Sequence, residues 1–157
     1  MKKKLSNLEY FLVTFLIFTC LNFYFSNLIV HKLSQGWKFS NSLIHLICVK
    51  NTGAAFSIMQ HSTHSLIIFS LIALLGIFYY ITRNLKTIQY MELLFLAFLT
   101  SGILGNLHER VFFGYVRDFF DLAFINFPIF NISDVFINIG VLGIIIIILV
   151  TKKSIEL

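Results

Sequence analysis

Apolar residues gather along this chain in four runs. Residues 10–30 and 65–82 carry no charge, residues 90–107 carry one (Glu92, near the start), and residues 135–150 include an unbroken isoleucine stretch at 144–148. An apolar run of about 17–25 residues is long enough to cross a bilayer as a helix. The pattern therefore predicts an all-α integral membrane protein, a single membrane domain over residues 1–157 with four transmembrane helices. Two long connections, 31–64 and 108–133, lie between the runs. Both are rich in Phe, Ile and Leu, too apolar for a disordered linker. Residues 43–57 are expected to form strands above the membrane, and the aromatic stretch 119–130 to lie in the interface.

Composition narrows the class further. Hydrophobic residues make up 58% of the chain and charged residues 12%, about half the share typical of soluble domains. The formal charge of +5 acquires a meaning once it is located. Lys2, Lys3 and Lys4 precede the first run, Arg83 and Lys86 separate the second and third, and Lys152 and Lys153 follow the fourth. Four spans bring all three clusters to one face, which the positive-inside rule makes cytoplasmic, with both termini on that side. A basic nucleic-acid surface would need a soluble stripe with aromatic platforms, and the sequence has none. The basic start could open a cleavable leader, but the first run is longer than a leader core and lacks a small-x-small site, so an uncleaved helix is expected.

The informative residues are then the polar ones at the membrane's edge, where an ionisable group is expensive and marks function. Glu109, Asp118, Asp121 and Asp134 all fall on the outer side, in one layer with Asn51, Asn106, Arg110 and Asn131. Two aspartates meeting in a partly dry site share a proton and titrate together, which suits peptide hydrolysis. Asp118 and Asp134 are the candidates; Asp121 reads as a solvated loop charge. Cys20 and Cys48 form neither a disulfide framework nor a reactive pair, so a thiol oxidoreductase is disfavoured. Among five histidines, only His61 and His64 are close, without the further ligands a metal needs. No cofactor or metal is expected. Trp37, Tyr79 and Tyr80 fit interfacial belts.

Four segments carry a family resemblance. Asn51-Thr52-Gly53-Ala54-Ala55-Phe56-Ser57, Gly105-Asn106-Leu107-His108-Glu109-Arg110, Gly114-Tyr115-Val116-Arg117-Asp118-Phe119 and Phe130-Asn131-Ile132-Ser133-Asp134 resemble, in order, the N-x-G-A-A-F-S, G-N-x-x-D-R, G-Y-V-V-D-F and F-N-x-A-D boxes of signal peptidase II, the lipoprotein signal peptidase. The resemblance implies an aspartic endopeptidase of the bacterial inner membrane, acting at its outer face without a metal. Its substrate would be a prolipoprotein already carrying a diacylglyceryl group, and its surroundings membrane lipids. The resemblance also implies Asp118 and Asp134 as the catalytic pair, Asn51, Gly53, Asn106, Arg110 and Asn131 as binding or supporting residues, and a small extracytoplasmic sheet with an interfacial helix. A monomer is expected. Small residues at 53–55 would let a lipid-modified peptide approach the backbone.

The chain departs from the family pattern in four places. Glu109 stands for an aspartate, Ser133 for an alanine, and Arg117 for an apolar residue. Ser26-Asn27 occupies the place of an Asp-Gln pair in the first span. Arg117 is expected to favour the charged carboxylate of Asp118, making that residue the base. The hydrogen bonds of the missing first-span acid are expected to be rearranged. A rival reading follows from this loss: a weakened or inactive member that binds lipoprotein precursors without cleaving them.

Overall fold

The computed structural model describes residues 6–53 and 62–155, with side chains described through residue 151. Ala54, Ala55, Phe56, Ser57 and His61, the lysines at 2–4 and the side chains of Lys152 and Lys153 lie outside this description. Four helices, α1 (Asn7–Ser34), α2 (Thr63–Asn84), α3 (Tyr90–Phe113) and α4 (Ile132–Ile155), each contain one of the apolar runs and are long and apolar enough to cross a membrane. Their ends are set by local chemistry as well as by hydropathy. Ser6 caps α1 in a reciprocal box with Glu9, satisfying two otherwise orphaned amides. Gly114 ends α3 in the left-handed conformation, φ 80°, which costs glycine nothing.

Helix α3 is the axis of the bundle and packs against the other three. Lipid is as apolar as leucine, so close backbone approach has to hold such a bundle together. A β-carbon on Gly140 of α4 would stand 2.7 Å from the Leu99 backbone nitrogen of α3, and one on Gly102 would stand 2.9 Å from the Ile137 nitrogen. At the end nearest the α2–α3 turn, Phe11, Ile81, Ile88, Leu93, Leu96 and Ala97 form the apolar core. Asn7 ties α1 to that turn through the carbonyls of Leu85 (2.8 Å) and Ile88 (3.0 Å).

The opposite end carries a three-stranded antiparallel sheet in the order β1 (Phe39–Ser40), β2 (Ile44–Asn51), β3 (Val116–Leu122). The register pairs Asn51 with Val116 and Val49 with Asp118. The aromatic stretch 119–130 begins as the second half of β3, turns, and comes back: Phe120 and Phe130 form an antiparallel bridge, with amide–carbonyl distances of 2.8 and 3.1 Å. That return delivers Asn131 and the start of α4 beside Asp118. The interfacial helix implied by the resemblance has no counterpart among the described residues.

Candidate functional site

Four elements supply the site: α3, β3, the start of α4 and the end of β2. On α3, Asn106 and Arg110 lie one turn apart on one face, and both are buried. On β3, Asp118 points inward and is 3% exposed. At the start of α4, Asn131 and Asp134 cap one another. The Asp134 amide donates to the Asn131 side-chain oxygen (3.0 Å), and the Asn131 amide donates to the Asp134 carboxylate (3.1 Å). This reciprocal box is the physical content of the N-x-x-D spacing, and a carboxylate in a helix's first turn also suits the helix dipole.

Asn131 joins the two acids. Its Nδ2 donates to Asp118 (2.7 Å) and to Oδ1 of Asn106 (3.1 Å), while Asn106 Nδ2 donates to Asp134 (2.8 Å). Asn51, at the end of β2, donates to the other oxygen of Asp118 (2.9 Å) and accepts from the Gly53 amide (2.9 Å). Arg110 donates to the Gly53 carbonyl (2.9 Å) and toward the Asn106 carbonyl (3.4 Å). Its Nε is buried without a hydrogen-bond partner among the described residues. Gly53 thus enters the network through its backbone, and all seven residues singled out in the sequence are linked.

Asp118, Asp134, Asn51, Asn106 and Arg110 line one cavity of about 680 Å³, whose other wall is the apolar segment Phe127, Pro128, Ile129 and Phe130. Burial pushes the Asp118 carboxyl up to about 6, with the neighbouring Asp134 acting in the same direction; the bonds from Asn51 and Asn131 and the charge of Arg110 oppose it. A carboxyl poised there exchanges its proton near neutral pH, as acid–base chemistry requires. Among the described residues, no group of three His, Cys, Asp or Glu is arranged to hold a metal ion.

One expectation is corrected. The Arg117 charge is not paired with Asp118. Adjacent strand residues face opposite sides, and Arg117 turns away to form an ion pair with Glu109 and a bond to Asn27 on α1 (3.0 Å). The acid missing from the first span is thereby replaced by a different set of contacts. Asn22 exchanges hydrogen bonds with Ser133 (3.0 and 3.2 Å), and Ser26 donates to Asn22 (3.4 Å). The sequence reading missed Asn22, although an amide inside an apolar span is itself a signal. It also missed Pro128, the chain's single proline, at the cavity wall. Asp121 stays outside the cavity and pairs across the strands with His45 at 3.4 Å.

Comparison with known proteins identifies a family. The family model described as Signal peptidase (SPase) II matches residues 13–150. The lipoprotein signal peptidase of Gloeothece citriformis is 42% identical over 99 residues, 63% of this chain and 61% of that protein. That of Microcystis aeruginosa is 42% identical over 106 residues, 66% of each. That of Streptococcus pneumoniae is 36% identical over 115 residues, 73% of each. The chain thus spans about three-fifths to two-thirds of the length of the first two relatives. A bacterial membrane enzyme solved by the in meso method at 2.3 Å resolution superposes with a TM-score of 0.78 at 28% identity, covering 90% of each chain. With its four membrane-length helices, its small sheet and its four boxes in order, this chain is a multi-pass membrane protein and belongs to the signal peptidase II family.

Proposed function

We propose that the chain is an aspartic endopeptidase that removes the leader peptide from diacylglyceryl-modified prolipoproteins. The observation that carries this reading is the meeting of Asp118 and Asp134, from a strand and a helix start, at one cavity and on one asparagine. One carboxyl of the pair is ionised and takes a proton from water, whose oxygen attacks the scissile carbonyl. The other is protonated and gives its proton to the carbonyl oxygen. Collapse of the tetrahedral diol breaks the C–N bond: one hydroxyl returns its proton to the second carboxylate as the new carbonyl forms, and the leaving amine takes up the proton that the first carboxylate gained. Arg110 Nε and the asparagine amides offer donors to the peptide backbone without adding a negative charge.

The lipid chains would enter from the bilayer, each buried methylene contributing about 0.8 kcal/mol. Basic residues at 2–4, 83, 86 and 152–153 put both termini in the cytoplasm by the positive-inside rule. The sheet and the cavity then face the outer side of a bacterial inner membrane. The protein works as a monomer, since the pair and its supporting asparagines come from one chain.

The test is cleavage of a synthetic lipid-modified precursor by the purified protein. Wild type cleaves, and Asp118→Asn and Asp134→Asn do not. A wild type as inert as both variants contradicts the reading and favours a precursor-binding protein instead.

A further inference from the structure

Outside the cavity, the Arg117 side chain gathers partners from several elements. Its Nε donates to both oxygens of Glu109 (2.9 and 3.1 Å) and its Nη2 pairs with the same carboxylate. The same Nη2 donates to Asn27 Oδ1 (3.0 Å). The guanidinium carbon sits 4.7 Å from the centroid of the Phe113 ring, within cation–π range. The Arg117 amide donates to Glu109 at 2.7 Å. Three elements, α1, α3 and β3, therefore converge on one guanidinium, and the Glu109 side chain is 11% exposed. Fork-to-carboxylate geometry of this kind fixes orientation as well as distance.

The position along the chain gives this convergence a consequence. β3 starts at Val116, and its inward residue Asp118 follows Arg117 directly. The pleat sends Arg117 and Asp118 to opposite faces, so whatever clamps the first sets the height and rotation of the second above the cavity. Asn51 and Asn131 hold the two oxygens of Asp118, and the Arg117 clamp fixes the start of β3, just after the chain leaves α3 at the left-handed Gly114.

We propose that Arg117 is a positioning residue: by tying Asn27 of α1 and Glu109 of α3 to the start of β3, it holds the strand at the register that aims Asp118 at Asp134. This rests on the reading of the pair as a protease site. Arg117 does not line the cavity, so its loss is expected to lower turnover while leaving substrate affinity in place.

The experiment uses the full chain with a lipid-modified precursor. Arg117→Val is expected to lower kcat by tenfold or more with KM within twofold of wild type; Arg117→Lys, which keeps the charge but not the fork, recovers only part of the loss. Asn27→Ala removes one strand of the strap and lowers kcat severalfold with unchanged thermal stability. The double variant Asn27→Ala with Arg117→Val is no worse than Arg117→Val alone, because both act through one contact. Wild-type kcat in Arg117→Val overturns the proposal. If Arg117→Val fails to fold, Asn27→Ala decides alone, and an unchanged kcat there overturns it. An inactive wild type defeats the protease reading instead. Hydrogen exchange across residues 116–120 then tests the strap on its own terms: faster exchange in Asn27→Ala supports it, and identical exchange overturns it.

Discussion

The two ends of the bundle are built from different materials. The end at the α2–α3 turn is closed by carbon: Phe11, Ile81, Ile88, Leu93, Leu96 and Ala97, with Phe11 edge-on to Phe78 at 5.8 Å. The sheet end is closed by hydrogen bonds: Asn22, Asn106, Glu109, Arg110, Asp118, Asn131 and Ser133 are all buried. In lipid the first kind of closure is undirected, since a leucine gains little by leaving one apolar medium for another. The second is directional, and each lost partner leaves a buried polar group unsatisfied, at about 1–3 kcal/mol. One end therefore supplies a tolerant frame and the other a fixed constellation.

That contrast can be broken by experiment. The largest effect is expected from Asn131→Ala, which removes the donor shared by Asp118 and Asn106 and the acceptor of the Asp134 amide. Steady-state cleavage should fall by about 10²-fold, the scale of losing one preorganised donor, and a fall under threefold would contradict the constellation. Leu93→Ala, at the carbon end, should lower the free energy of unfolding by no more than the roughly 2–5 kcal/mol of a soluble core while kcat in the folded protein stays at the wild-type level. Equal damage to activity would erase the distinction between the ends.

A smaller effect follows from the buried charge. The folded protein holds Asp118 near 6, above the ordinary 3.8, so the fold favours its protonated form. That contribution is complete below about pH 4 and is lost as pH rises through about 6. Asp118→Asn, neutral throughout, should melt a few degrees higher than wild type at pH 8 and show no gain at pH 4. A gain of the same size at both values would refute the burial account. Smallest of all, Asn51→Ala removes a bond that lowers the Asp118 carboxyl, so the limb of the pH–rate profile due to Asp118 should move to higher pH. A limb that stays in place would mean that Asn51 does not act on that carboxyl.

How much of this was legible in the sequence depends on the length scale of each feature. The helices were legible because hydropathy integrates over a whole turn-by-turn run, and the pair Asp118 and Asp134 because its boxes keep fixed spacings. The capping box at Asn131 and Asp134 is a local rule written into four residues. The role of Arg117 is not legible from its place beside Asp118, because strand alternation sends chain neighbours to opposite faces. Asn22 is hidden in the sequence for a related reason. It is a single small polar residue within an apolar run, and its meaning appears only when α1 meets Ser133 of α4 across 111 residues. The return of residues 123–130 to β3 depends on one bridge, Phe120 to Phe130, which no periodicity announces.

The coupling of the two aspartates is the central claim, and carboxyl ¹³C titration of aspartate-labelled protein reads it directly. One resonance, absent in Asp118→Asn, should titrate near pH 6 in the wild type and move toward acid in Asp134→Asn, because the charge of Asp134 raises its neighbour. An Asp118 carboxyl titrating near 4, indifferent to Asp134, would contradict the account.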